Sequence, residues 1–259
     1  MDLELTGKIA VVTGASRGIG LATARALAAE GALVVAGART VTPELAAIDG
    51  VLPVALDLAT ADGPARLVDA AVEAHGGVDL LVCNLGGAKV RLDGVLAVPD
   101  EDWARTFDLN VMSAVRSCRA AVPLMVERGG GSVAVVSSVN SFLFDPAVVD
   151  YAAAKAALTN FCSSLAKEYA GRGVRVNVVS PGPTATALWL GGSGVAEQIA
   201  ARGGASAEEV AAQAAAGIPL GRFSTPEEVG AALTFLLSAR SGATTGGNLR
   251  IDGGMTPTT

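Results

Sequence analysis

The sequence predicts an α/β fold: a doubly wound parallel sheet of seven strands in a single domain. Three observations carry that expectation. Short apolar runs alternate with longer helical patterns along the whole chain. The strand runs are apolar at successive positions rather than at every second one, as befits strands covered on both faces. The 32 glycines among 259 residues gather where strands give way to helices, where a backbone turns tightly or approaches a ligand.

Ile9-Ala10-Val11-Val12-Thr13 forms the first expected strand. A glycine-rich turn leads from it into a helix over residues 21–30, stopped by Gly31. Residues 33–36 make a second strand and residues 52–56 a weaker third; a helix over 62–75 then closes at Gly76-Gly77. Residues 79–83 are the fourth strand. Residues 100–127 read as one long helix, ended by Gly129-Gly130-Gly131. The fifth strand spans 132–137, a long helix 150–170, the sixth strand 174–179 and a short seventh 248–251. Right-handed crossovers between parallel strands give the doubly wound arrangement. No Pro/Ser-rich linker divides the chain, so residues 1–259 are expected to form one domain. The rhythm breaks at 187–217, where glycine clusters precede an alanine-rich run. An insertion after a strand's carboxyl end suits a substrate lid; a pair of surface helices is the alternative.

Composition narrows the function. Apolar residues make up 51% and charged residues 17%, enough to build a substantial core. A net charge of -6 argues against nucleic acid as the main partner, because phosphate binding needs a basic surface. Cys83, Cys118 and Cys162 are widely spaced with no CxxC, and His75 is the single histidine. That excludes a zinc site and a Ser-His-Asp triad, predicts no metal, and suits a reducing compartment. No signal-peptide pattern opens the chain and no apolar run reaches membrane-spanning length, so a cytoplasmic protein is expected.

Thr13-Gly14-Ala15-Ser16-Arg17-Gly18-Ile19-Gly20 follows the first strand and opens a helix, with glycines spaced GxxxGxG. Such glycines permit a tight turn and close approach of a pyrophosphate, which then sits at a helix N-terminus. Gly14, Ser16, Arg17, Gly18, Ile19 and Gly20 thus make an expected dinucleotide cradle. The end of the second strand bears on which dinucleotide. A carboxylate there would hold a ribose 2′-hydroxyl, but the stretch reads Ala36-Gly37-Ala38-Arg39-Thr40. Arg39 and Arg17 offer guanidinium forks suited to a 2′-phosphate, so NADP(H) is the expected cofactor; solvated surface arginines are the alternative.

Tyr151-Ala-Ala-Ala-Lys155 places two polar side chains on one face of a helix. A free tyrosine, with a pKa near ~10, is a poor base at neutral pH. An adjacent lysine cation favours the phenolate; a fall of ~3 in pKa corresponds to about 4 kcal/mol. On this expectation Tyr151 protonates a carbonyl oxygen as hydride arrives, or deprotonates an alcohol in reverse.

With these motifs in order, the chain resembles the short-chain dehydrogenase/reductase family over essentially its whole length. Thr13–Gly20 looks like the family's TGxxxGIG, and Tyr151 with Lys155 like its YxxxK. The resemblance implies a Rossmann sheet, a Ser138 that orients the substrate oxygen, and an Asn110 that holds a water of the proton relay. It further implies that Tyr151 and Lys155 also contact cofactor, that Pro181, Gly182, Thr184 and Thr186 hold the nicotinamide carboxamide, and that Asp57 and Leu58 line the adenine. Gly221-Arg222, Pro226-Glu227-Glu228 and Ile251-Asp252-Gly253-Gly254 follow the same pattern. Where the family often reads NNAG, this chain reads Cys83-Asn84-Leu85-Gly86. Asn84 and Gly86 keep the strand anchor and the close cofactor approach, whereas Leu85 adds bulk beside the expected ribose. Among relatives the chain is similar to 3-oxoacyl-acyl-carrier-protein reductases, which makes acyl carrier protein a candidate partner, with Arg128 or Arg172 as docking points, and a homotetramer built on helices 100–127 and 150–170.

The expected substrate mouth comprises Ser138, Asn140, Phe142, Phe144 and Trp189. Ordinary core or subunit-interface positions are the alternative for the aromatic residues. The leading expectation is an NADPH-dependent reductase of a ketone or 3-oxoacyl substrate. An NAD-dependent alcohol, sugar or steroid dehydrogenase is the variant. A dinucleotide-sensing protein without catalysis is the reading from another class, and it has no use for a reactive tyrosine and lysine.

Overall fold

The structure, a computed structural model, is described over residues 1–257. Its elements in chain order are β1 (Ile9–Thr13), α1 (Gly18–Ala29), β2 (Leu33–Ala38), α2 (Pro43–Ala46), β3 (Val51–Ala55), α3 (Gly63–His75) and β4 (Leu80–Cys83). There follow α4 (Asp100–Phe107), a π-helical turn (Asp108–Met112), α5 (Ser113–Glu127), β5 (Gly131–Val136), α6 (Val149–Tyr169) and β6 (Val174–Pro181). Then come α7 (Ala187–Leu190), α8 (Val195–Gly203), α9 (Ala207–Ala216), α10 (Pro226–Leu237) and β7 (Asn248–Ile251).

The strands form one sheet in the order β3-β2-β1-β4-β5-β6-β7, parallel at every pairing. All seven expected strands are present. Their unbroken apolar runs follow from successive side chains pointing to opposite, equally covered faces. Val11, Val35, Leu81 and Val133 pack beneath α3, α5 and α6 with Leu67, Met125 and Leu158. Val12, Val34, Val82 and Val179 pack on the other face with Leu27 of α1 and Leu233 of α10. Each fully buried leucine contributes roughly 1.5–3 kcal/mol relative to an exposed one.

Three differences from the expected elements have local causes. The long helix expected over 100–127 is interrupted at residues 108–112, where Asn110 turns inward and bonds to backbone outside its own helix. Helix α10 had not been read from the pattern, although Thr225 and Glu228 form a capping box with Pro226 in the first turn. Gly230 lets it approach α1, since a Cβ there would lie 3.1 Å from the Thr23 nitrogen. Residues 187–217 hold three short helices, α7, α8 and α9, the last capped reciprocally by Ser206 and Glu209. Among the described residues, no helix is long and apolar enough to cross a membrane.

Candidate active site

The carboxyl ends of β1, β4, β5 and β6 converge on the cradle. Gly14 (φ 70°) and Gly18 (φ 56°) adopt left-handed backbone that favours glycine. At Gly20 a Cβ would lie 2.3 Å from the Gly14 oxygen and 2.5 Å from Asn84 Nδ2. Asn84 ties β4 to the turn: its amide donates to the Thr13 and Gly14 carbonyls at 3.1 and 3.0 Å, and its N–H to Thr13 Oγ1 at 2.9 Å. Thr13 was missed as an anchor, although a threonine ending an apolar strand is a readable signal; its hydroxyl donates to the Val82 carbonyl at 3.1 Å.

Helix α1 begins without a side-chain cap or an acidic residue in its first turn. Its first N–H groups therefore offer an anion site. Arg17 and Arg39 are exposed and form no salt bridge among the described residues. The Ser16 carbonyl accepts from Thr42 Oγ1 at 3.1 Å, joining the turn to the loop after β2. Ile19, half-buried, packs beside the core.

From the other side, Thr186 closes over the cradle, its Cγ2 3.1 Å from where a Cβ of Gly18 would stand. Pro181 and Thr184 are buried, and the Gly182 N–H donates to the Ile251 carbonyl at 3.0 Å. On the side expected for the adenine, the Leu58 side chain is buried in the core near Gly37. Asp57 is exposed and accepts the Ala59 N–H at 2.9 Å. Leu85 packs against the core as well, which turns its extra bulk inward.

Asn110, Ser138, Tyr151 and Lys155 are all buried, at 0%, 6%, 9% and 2% exposure. Tyr151 and Lys155 share one face of α6, with Lys155 Nζ 5.6 Å from the phenol ring centre. Lys155 Nζ donates to the Val136 carbonyl at 2.8 Å, at the end of the strand that presents Ser138. Gly86 is the meeting point: a Cβ there would lie 2.7 Å from Asn110 Oδ1 and 3.1 Å from Lys155 Nζ. The Asn110 amide donates to the Gly87 and Thr106 carbonyls, each at 3.0 Å, and Oδ1 accepts the Gly87 N–H at 3.1 Å. Its side chain therefore ties the π-helical turn to the loop after β4.

The electrostatics also differ from expectation. Burial pushes the Tyr151 phenol above its ordinary pKa, and the neighbouring Ser138 hydroxyl pulls the other way. Burial lowers Lys155 to about 8. Burial of both groups thus works against the expected lowering of tyrosine by lysine. The phenol stays protonated at neutral pH, which fits it to give a proton to an oxygen. Cys83, Cys118 and Cys162 are free and buried; burial raises Cys162, and Cys118 with burial raises Cys83. They sit in the core as small apolar residues.

The expected mouth residues divide. Ser138 Oγ accepts the Asn140 N–H at 3.2 Å and donates to its Oδ1 at 3.3 Å. Phe142 lies under the Arg250 guanidinium of β7 at 5.1 Å. Trp189 packs edge-on against Phe223 at 5.2 Å. Phe144 stands 91% exposed in solvent, so the structure does not pack it into a pocket. A cavity of about 540 Å³ is lined by Leu220, Arg222, Ser224 and Arg250, and neither Tyr151 nor Lys155 lines it. Arg128 pairs with Asp79 at 3.0 Å and Arg172 stacks on Tyr169 at 5.2 Å.

Comparison with known proteins agrees with this geometry. A family model described as enoyl-(acyl carrier protein) reductase matches residues 14–256. The 3-oxoacyl-acyl-carrier-protein reductase FabG of Thermotoga maritima is 34% identical, over 98% of this chain and 99% of its own. The 3beta-hydroxysteroid dehydrogenase 1 of Eggerthella lenta is 35% identical, over 98% and 95%. The L-sorbose reductase of Gluconobacter frateurii, solved with NADPH and L-sorbose, superposes with a TM-score of 0.91 at 34% identity, covering 100% of both chains. With matches of this extent, the chain belongs to the short-chain dehydrogenase/reductase family of oxidoreductases acting on CH-OH and C=O groups.

Proposed function

We propose that the protein is an NADP(H)-dependent reductase that converts a ketone to a secondary alcohol. The observation that carries this reading is a buried Tyr151 on one helix face with Lys155, beside Ser138, with burial holding its phenol above its ordinary pKa. When bound, a nicotinamide cofactor would supply hydride for the carbonyl carbon. Ser138 orients the carbonyl oxygen and Tyr151 donates the proton to it, so that the ketone gains one hydride and one proton. Lys155 restores the tyrosine's proton, and Asn110 fixes Gly87 and the π-helical turn around it.

The fit to a phosphorylated dinucleotide rests on the uncapped start of α1, the glycine turn, and Arg17 and Arg39 where a carboxylate is lacking. The NADPH bound by the sorbose reductase is consistent with it. Residues 187–217 act as a lid within a single domain, with Trp189 and Asn140 at the substrate mouth. The FabG relatives support a ketone carried as a 3-oxoacyl thioester, with acyl carrier protein as the partner. The steroid relative favours a second reading, an NAD-linked dehydrogenase of a cyclic alcohol. A homotetramer in the cytoplasm completes the proposal.

The test is kcat/KM for NADPH and for NADH against a panel of 3-oxoacyl thioesters, cyclic ketones, steroids and ketoses. NADPH should be favoured by at least tenfold on the best substrate. A preference for NADH would refute the roles given to Arg17 and Arg39.

A further inference from the structure

The first turn of α6 carries a buried charge that the proposed chemistry does not use. Asp150 directly precedes Tyr151, and its side chain is 1% exposed. Its carboxylate accepts the Thr106 hydroxyl at 2.8 Å and Arg91 Nε at 3.3 Å, and a second guanidinium nitrogen of Arg91 binds it as well. The Arg91 side chain is 7% exposed and also binds Asp102, which is flanked by Lys89 and Arg105, each at 3.3 Å. The Arg91 N–H donates to the Ala147 carbonyl at 2.7 Å, so the loop after β4 is stitched to the entry of α6 by backbone too.

These contacts close a ring. Thr106 binds Asp150 through its hydroxyl and Asn110 through its carbonyl. Asn110 returns to Gly87 in the same loop that carries Arg91. Three segments are thereby locked: the loop 86–91, the α4 and π-turn segment, and the start of α6. Tyr151 and Lys155 project from the third segment, and Gly86 of the first meets Lys155.

A buried ion pair is weak as a stabiliser, because desolvation consumes most of its attraction; two apolar side chains often serve stability as well. Its distinctive contribution is directional, since a guanidinium fork accepts a carboxylate in one plane. The N-cap residue of α6, Val148, supplies no side-chain cap, so the bonds of Arg91 and Thr106 to Asp150 are side-chain anchors at the start of this helix. Burial works against the Asp150 charge, but Arg91 and Thr106 outweigh it and hold the carboxyl below its ordinary pKa. Fixing a carboxylate one residue from the phenol fixes the rotation of that turn about the helix axis.

The geometry points to Arg91 and Asp150 as positioning residues for Tyr151, an inference that rests on Tyr151 being the proton donor. The test compares Arg91→Met, Asp150→Leu and the double variant with wild type and Tyr151→Phe. Tm, kcat and the KM for NADPH are read with the ketone turned over fastest in the panel above, well below every Tm. Arg91→Met leaves the buried Asp150 carboxylate without its cation, and Asp150→Leu leaves Arg91 with Asp102 alone, so each single variant should lose Tm, the first more; the double should regain most of it. All three should lose on the order of 10- to 100-fold in kcat, since small misplacements of a reacting group have that effect. The KM for NADPH should stay within about threefold, because neither Arg91 nor Asp150 belongs to the glycine turn or the arginines given to the dinucleotide.

Recovery of kcat together with Tm in the double variant overturns the proposal, as it makes the pair structural only. Should the double fail to fold, Asp150→Asn keeps the shape and removes the charge; there a tenfold loss of kcat supports positioning and an unchanged kcat overturns it. Retained turnover in Tyr151→Phe sinks the proton-donor reading itself, and so is told apart from failure of the pair.

Discussion

Replacing Lys155 by methionine should stabilise the protein while abolishing its turnover. Lys155 is 2% exposed, and burial lowers its ammonium from 10.5 to about 8. At about 1.4 kcal/mol per tenfold change in acidity, that drop corresponds to about 3 kcal/mol against folding at pH 7. Methionine is of similar length and carries no charge, so it removes this penalty. It also leaves the Val136 carbonyl without its 2.8 Å donor, which returns about 1 kcal/mol. The net gain at pH 7 is about 2 kcal/mol, or roughly 4–8 °C in Tm for a chain of this size.

The sign of the pH dependence is fixed by the same shift. Between about 8 and 10.5 the folded state binds fewer protons at Lys155 than the unfolded state does, so the wild type gains stability as pH rises through that window. By pH 10 the penalty has fallen to about 1 kcal/mol, and the advantage of Lys155→Met should have vanished. Thermal melts of the unliganded proteins at pH 7 and pH 10 supply the assay. A methionine variant less stable than wild type at pH 7, or a Tm difference that ignores pH, refutes the reasoning.

The same lysine governs rate: kcat/KM for reduction should be level up to about pH 7 and fall above about pH 8 as Lys155 loses its proton. A profile level to pH 10 contradicts that role. Arg17→Ala with Arg39→Ala should raise the KM for NADPH roughly 10- to 100-fold, at about 1.5–3 kcal/mol for a charge-assisted contact, and leave that for NADH nearly unchanged. Equal effects on both cofactors would show that neither guanidinium reads the 2′-phosphate. Gly20→Ala forces a Cβ to within 2.3 Å of the Gly14 carbonyl oxygen, so cofactor binding should be lost and Tm should fall. Wild-type NADPH fluorescence titration and Tm would contradict the packing described for the turn.

What the sequence made legible follows from the range of the interactions involved. Each strand shows itself because Val11, Val12 and their counterparts are buried on both faces, so the apolar run is local and unbroken. The glycine turn and the Tyr151–Lys155 pair are likewise short-range patterns. The break at residues 108–112 is not, because Asn110 bonds to Gly87, 23 positions away, and residues 100–127 alone read as uninterrupted helix. The Arg91–Asp150 pair spans 59 positions and was passed over for the same reason. Spacing placed Lys155 beside Tyr151 but carried no measure of desolvation, which works against the expected lowering of the phenol. Phe144, 91% exposed, marks the same limit, since only tertiary packing decides whether a side chain is covered. Helix α10 is a different case: Thr225, Pro226 and Glu228 spell a helix start that pattern reading had within reach.

The most direct measurement is turnover of Tyr151→Phe with NADPH and the best ketone of the panel, alongside NADPH binding by fluorescence. Phenylalanine keeps the ring and loses only the hydroxyl that is to deliver the proton. NADPH binding should persist while kcat drops on the order of 10²- to 10⁴-fold. Turnover within threefold of wild type, with binding intact, would show that the proton comes from elsewhere.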